Sequence, residues 1–359
     1  MGQGQSAEKK EYDRKYKEHK KFIDSKVGCT PTPVEVDCHK KFLAGWKRDQ
    51  DSRYIVRLPL KNNEPMDSLK SGIFKTANYM LKSMDRKFQK DSKLQSDYCK
   101  FLKEYLDLGH MELSCEEEAK CFLSRFAALR NESSTTKLRV VFNGSCKVNS
   151  SGSLNDFLHI RSNLLCNLFD LVVRWRNYSH VFIANIEKMF RQIGVDVLKQ
   201  VFQSILWRFD PSQDIRVYKL TTVTYGLACS PYLACRVIKL SANNYRDQYP
   251  KGASVLDSEI YMDDVLSGGH SANEAKVKLD ELNCITELGK IPLRKWSSNS
   301  PDLFENLPTS FLSNRPVDLK DNKEIASVVG LIWDPHADNL LVITYYYRCL
   351  DAYGVVLVI

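Results

Sequence analysis

Two hydrophobic periods alternate along the chain, and the changes between them set the expected order of elements. Tyr54, Val56 and Leu58 alternate with polar neighbours between Arg53 and Lys61, the two-residue period of a half-buried strand. A lysine-rich stretch with helical spacing follows, from Met66 to Leu108. Lys137 to Phe142 predicts a second strand, and Asn143-Gly144 behind it is a tight-turn pair, so a basic β-hairpin is expected with Asn149 to Gly152 as loop. His180 to Ala184 is an apolar run, which suits a strand covered on both faces, and Val217 to Val223 is a further strand. Ser230 and Pro231 then take the N-cap and first positions of a helix whose Leu233, Val237 and Leu240 share a face. Ile260-Tyr261 and Val265-Leu266 read as two short strands about a tight turn, ended by Gly268-Gly269. Ser271 and Glu274 predict a capping box for a helix that buries Ala275, Leu279, Leu282, Ile285 and Leu288 and stops at Gly289.

This order of strand, strand, helix, hairpin, helix, strand predicts an α+β fold rather than a doubly wound one, with the hairpin in the middle of an antiparallel sheet. Residues 1–50 are charged and weakly periodic, an expected tail and linker broken at Thr30-Pro31-Thr32-Pro33. No internal repeat interrupts the pattern.

Composition narrows the class. At 359 residues, 43% apolar and 27% charged, the chain can bury a core of two or three subdomains. A formal charge of +8 and a pI near 8.8 permit a polyanionic partner without demanding one. The longest apolar runs, Ile325 to Trp333 and Leu340 to Tyr347, are strand-length and fall short of the roughly 20 residues of a membrane span. No integral membrane association and an intracellular location are therefore expected. Eleven cysteines without a C-x-x-C pair argue against a zinc ribbon or knuckle and for reduced, mostly buried thiols. Met1 to Ser6 fits the N-myristoylation pattern at Gly2, followed by Lys9, Lys10, Lys15, Lys17, Lys20 and Lys21, but Glu8, Glu11, Asp13 and Glu18 among them favour a solvated tail.

The candidate chemistry lies in Tyr261-Met262-Asp263-Asp264. A bare Asp-Asp pair is ordinarily a solvated turn. Here the pair sits between two apolar strands, where adjacent carboxylates repel unless a cation offsets them, and hard oxygen ligands suit Mg²⁺ or Mn²⁺.

From about Tyr54 through Asp338 the chain resembles the reverse transcriptase of Bel/Pao-type LTR retrotransposons. The matching stretches are Tyr54 to Leu60, Leu108 to Met111, Leu138 to Phe142, Ser153 to Asp156, Ile186 to Gln192, Ile205 to Trp207, Thr222 to Gly226, Tyr261 to Asp264, Leu293 to Trp296 and Gly330 to Trp333. The resemblance implies a right-hand polymerase, with fingers and part of the palm in 51–180, palm in 181–340 and a divergent end in 341–359. It implies dNTP incorporation on an RNA or DNA template with a primer, by two ions of Mg²⁺ or Mn²⁺, in cytoplasmic particles or the nucleus. Asp263 and Asp264 are then metal ligands. Arg139 grips the triphosphate, Phe190 stands against the sugar, and Tyr225-Gly226 holds the nascent base pair. Lys295 is a candidate proton donor to pyrophosphate, with Lys290 as its rival. Each has a plainer reading: a surface strand cation, core packing, a strand-to-helix turn and a surface lysine.

Three departures qualify the resemblance. The family's Ala-Asp-Ile-Glu-Lys-Met reads Ala184-Asn185-Ile186-Glu187-Lys188-Met189 here, so a third metal carboxylate is replaced by the amide of Asn185. An amide oxygen still coordinates but carries no formal charge. At about 4 kcal/mol for a charge pair in a partly screened site, and about tenfold in rate per 1.36 kcal/mol, a defect of at least about a thousandfold is expected. Glu187 could substitute if the strand runs that far. Asn143 also stands where the family usually has Asp, and the chain beyond Leu340 stops matching. Apart from these, no Asp-Thr-Gly or Asp-Ser-Gly protease motif occurs. A non-catalytic nucleic-acid-binding module and a decayed element copy are the alternatives, and the oligomeric state is open.

Overall fold

The computed structural model describes residues 32–61, 67–129, 138–147, 152–159, 164–313, 326–328, 331–335, 338–348 and 351–358. The expectations for Gly2, for the lysine-rich tail up to residue 31 and for Asn149 in the loop lie outside the described residues.

In chain order the elements are α1 (Pro33–Gly45), β1 (Tyr54–Val56), α2 (Asp67–Phe88), α3 (Ser92–Asp107), β2 (Met111–Ser114), β3 (Ser124–Leu129), β4 (Leu138–Asn143), α4 (Leu168–Arg176), β5 (His180–Ile186), β6 (Ser204–Trp207) and β7 (Arg216–Leu220). They continue with α5 (Ser230–Tyr245), α6 (Pro250–Ser258), β8 (Ile260–Tyr261), β9 (Asp264–Gly269), α7 (Ala272–Leu288), β10 (Leu293–Ser298), β11 (Ala326–Val328), β12 (Leu331–Asp334), β13 (Asn339–Arg348) and β14 (Asp351–Val358). The fold is α+β with small antiparallel sheets. No helix among the described residues is long and apolar enough to cross a membrane.

Packing divides the chain into two units, neither of them a single stretch of sequence. The first takes in the described residues of Met1–Lys47, Ile55–Ser162 and Val195–Ser230. The second takes in Arg48–Tyr54, Asn163–Gly194 and Pro231–Ile359.

In the first unit, part of the expected tail is helix. Thr32 and Glu35 exchange the hydrogen bonds of a capping box at the start of α1, and Cys38 and Phe42 are buried. The lysine-rich stretch forms two helices, α2 and α3. Asp91 accepts from the Leu94 amide at 2.9 Å and starts α3 afresh, because a carboxylate that satisfies an orphan helix N–H is worth more at a helix start than inside one. β2, β7 and β6 form one sheet in that order, so the strand expected over Val217 to Val223 belongs here. β4 buries Leu138, Val140 and Phe142 in strict alternation. It pairs backwards with β3, from Arg125 opposite Phe142 to Leu129 opposite Leu138, so no hairpin turns at Asn143-Gly144 as the dipeptide predicted. A Cβ on Gly144 would lie 2.8 Å from the Gly226 carbonyl, so this glycine serves close packing.

The second unit holds the sheet β8-β9-β5-β10. The Asp-Asp hairpin is therefore at one side of that sheet, with β8 as an edge, and not in its middle. β5 is central and nearly all buried, as a continuous apolar run requires. Val181 and Ile183 pack with Leu266, Leu171, Trp175 and Trp333, and the two indoles meet edge to face at 5.0 Å. β11 to β14 form a second four-stranded antiparallel sheet that reaches Val358.

α5 buries Leu233, Val237 and Leu240 as expected, but it begins at Ser230, whose hydroxyl donates to the Thr224 carbonyl at 2.5 Å instead of capping. α7 buries Ala275, Leu279, Leu282 and Ile285, while Leu288 is 41% exposed in its last turn. Ser271 accepts from the Glu274 amide, and the Glu274 carboxylate reaches the His270 N–H, one residue outside the expected box. Of the nine described cysteines, only Cys38, Cys121, Cys229 and Cys235 are buried. Burial pushes the Cys121 thiol up to about 12 and Cys235 to about 11, which leaves both inert.

Candidate functional site

β5 carries Asn185 one residue before its end, and the antiparallel register sets Asp264 directly opposite. The Ile186 amide donates to the Asp263 carbonyl at 2.7 Å and latches the turn to the strand. Asn185 Nδ2 then lies 3.0 Å from Asp263 Oδ2 and 3.0 Å from Asp264 Oδ1. One amide nitrogen has two hydrogens, and each is directed at a different carboxylate. Turning the amide over would bring its oxygen equally close to two anionic oxygens, so the donor orientation is the one electrostatics requires. Charge-assisted hydrogen bonds of this kind offset the repulsion between neighbouring carboxylates. With no cation between them, the amide nitrogen of Asn185, and not its oxygen, faces the two acids.

The backbone around this point is strained. Six described non-glycine residues have positive φ, and four of them lie in the segments that lead to or from these strands: Lys188 (50°), Met262 (54°), Lys290 (53°) and Lys295 (56°). Left-handed backbone costs L-residues on the order of 1 kcal/mol each and collects where the surroundings over-determine it. Met262 forms the two-residue turn with Asp263, since Tyr261 pairs with Asp264. Lys295 sits in a β-bulge, because Arg294 pairs with Asn185 but Ser297 with Ile183. Both Lys295 and its rival Lys290 are exposed.

The strand does not run far enough to carry Glu187. β5 ends at Ile186, and the Glu187 carboxylate meets Arg294 Nε at 3.5 Å. Arg294, opposite Asn185 on β10 with its guanidinium 3.6 Å from the Phe311 ring centre, is the charged neighbour that the residue pattern did not single out. Its signal in the sequence was its place in Leu293 to Trp296. Phe190 lies half-buried in a 3₁₀ turn between buried Met189 and Arg191.

Arg139, Tyr225 and Gly226 come together in the first unit. Arg139 is exposed on β4, with its guanidinium carbon 5.6 Å from the Tyr225 ring centre. The Tyr225 hydroxyl donates to the Val140 carbonyl at 2.5 Å, and its ring packs on Phe142 at 5.3 Å. Gly226 has φ +95°, and a Cβ there would stand 2.0 Å from the Phe142 carbonyl oxygen. Its freedom from a side chain is therefore required by the protein's own backbone, whatever else approaches it.

Among the described residues no three His, Cys, Asp or Glu side chains gather as a metal group. Asp263 and Asp264 supply two carboxylates held by one amide, a donor set that fits one hard divalent cation once the amide turns, but is one anion short for two. No family model matches this chain, and no curated protein does.

Proposed function

We propose that the chain is an RNA-directed DNA polymerase domain of retrotransposon type whose chemistry is strongly impaired. The observation that carries this reading is the convergence of Asn185, Asp263 and Asp264 at one end of an antiparallel sheet, on a tight turn with strained backbone. Asp263 and Asp264 would hold one Mg²⁺ or Mn²⁺, whose chemistry there is to acidify a bound hydroxyl and neutralise triphosphate charge. The chain's own contributions are distinct. Arg139 offers a planar guanidinium to phosphate oxygens, Lys295 an exposed ammonium, and Phe190 a ring for a sugar face. Asn185 holds the two acids in place of a third carboxylate, and this lowers the affinity for cations.

A second reading, a nucleic-acid-binding module without catalysis, is favoured by the same amide, which keeps the acidic turn satisfied with no ion present. Primer extension on RNA and DNA templates, with dNTPs and Mg²⁺ or Mn²⁺, separates the two. We expect Asn185→Asp to exceed the natural chain by at least about a thousandfold, since about 4 kcal/mol is restored and each 1.36 kcal/mol is about tenfold. Equal rates for both proteins would contradict the role given to position 185. If both are inactive, binding whose log affinity falls linearly with log salt would support the module instead.

A further inference from the structure

The first unit contains a buried cation that meets no anion among the described residues. Arg125, the second residue of β3, is 8% exposed. Arg57, Arg176, Arg208, Arg246 and Arg294 each meet a carboxylate, whereas Arg125 meets none among the described residues. Its Nη2 donates to the Leu206 carbonyl at 2.7 Å, and its guanidinium carbon lies 5.3 Å from the Trp207 ring centre. These contacts leave two buried donors unmet, Arg125 Nη1 and Trp207 Nε1.

Arg125 and Trp207 both line a small pocket, together with Met80, Leu81 and Met84 of α2 and Tyr98 of α3. The cavity measures about 10 Å³, room for a single small occupant. The chemistry of the wall selects among occupants. A positive charge taken out of water is costly unless an anion accompanies it. The unmet groups are both donors, and a water placed between them would bring two further protons in need of acceptors. A halide accepts from every side and brings none. Methionine side chains are flexible and polarisable, so this wall can give by the few tenths of an ångström that separate chloride from water.

We propose that this pocket is a halide site, occupied by chloride in ordinary buffers, with Arg125 as its counter-charge and Trp207 Nε1 as its second donor. The site stands apart from the nucleotidyl-transfer reading and does not depend on it. The test is crystallography of the full chain in sodium bromide, with data at the bromine edge, together with thermal unfolding in bromide, chloride and gluconate at equal ionic strength. The expected result is an anomalous peak within hydrogen-bond reach of Arg125 Nη1 and a higher Tm in either halide than in gluconate. Arg125→Met should lose the halide-dependent part of the Tm. Trp207→Phe, which keeps the charge, should reduce that part and keeps the test decisive if Arg125→Met does not fold. An ordered water with no anomalous signal in the pocket, or a halide response unchanged in Trp207→Phe, would overturn the proposal.

Discussion

Asn185 shows how one functional group decides what an acidic turn requires. With the amide in place, two carboxylates share two charge-assisted hydrogen bonds. Asn185→Asp removes both donors and adds a third negative charge at the same point. Hydrogen bonds to charged groups are worth about 1.5–3 kcal/mol each, so in the presence of a chelator we expect this variant to be less stable by about 3 kcal/mol or more. Mg²⁺ or Mn²⁺ should restore the loss, because a cation bound only to the folded state stabilises it by mass action. Urea unfolding of both proteins, with chelator and with divalent ion, measures this. A variant as stable as the natural chain and indifferent to metal would remove the amide's assigned role. The apolar run and the tight turn made the strand and the hairpin legible in the sequence, whereas Asn185 as the residue that meets Asp263 was expected only from the family resemblance. The direction of the amide was not legible, because it depends on which atoms register brings opposite. The positive φ of Lys188, Met262, Lys290 and Lys295 was equally hidden, since none is a residue type that signals left-handed backbone.

Among elements, α7 is tied to the sheet by a buried polar clamp. Lys278 Nζ lies 3.1 Å from the Tyr178 hydroxyl and 3.3 Å from Glu259 Oε1, and the Tyr178 hydroxyl donates to the same carboxylate at 3.1 Å. The Lys278 and Glu259 side chains are 9% and 7% exposed. Removing one partner of such a pair strands the other, so Lys278→Met should cost about 3–5 kcal/mol in denaturant unfolding. The clamp also sets a pH response. Burial pulls the Lys278 ammonium down, but the Glu259 charge and the hydrogen bonds with Tyr178 and Glu259 outweigh it and hold it above the usual lysine value. Burial raises the Tyr178 phenol too, against the Lys278 hydrogen bond. Both groups keep their protons to higher pH when folded than when unfolded. Their contribution is therefore complete below about pH 10 and is lost as pH rises through the folded values. Alkaline unfolding should be steeper in the natural chain than in Lys278→Met. Periodicity predicted α5, α7 and β5 correctly because each has a wide or continuous apolar face. It failed at Asn143-Gly144, where a dipeptide that usually turns a hairpin is instead consumed in packing against Gly226.

For the whole molecule, the interleaving of the units is what sequence reading could least supply, since packing joins segments that no local pattern connects. The short segment Arg48–Tyr54 belongs with residues far along the chain. Arg53 Nε donates to the Gln192 carbonyl at 2.7 Å, Arg48 Nη1 to the Tyr245 hydroxyl at 3.0 Å, and Tyr54 accepts from Asn244 at 3.2 Å. A fragment of residues 163–359 lacks that segment. We expect it to lose the cooperative unfolding transition of the second unit, which circular dichroism against denaturant would register, and a separately added peptide covering residues 47–56 should recover part of it. The same connectivity orders events on the ribosome. The first unit has all its sequence once Ser230 has emerged, while Arg53 must wait 139 residues for its Gln192 partner. At elongation rates of about 5–20 residues per second, that delay is on the order of ten seconds, during which the earliest-made piece of the second unit is a nascent segment without a home.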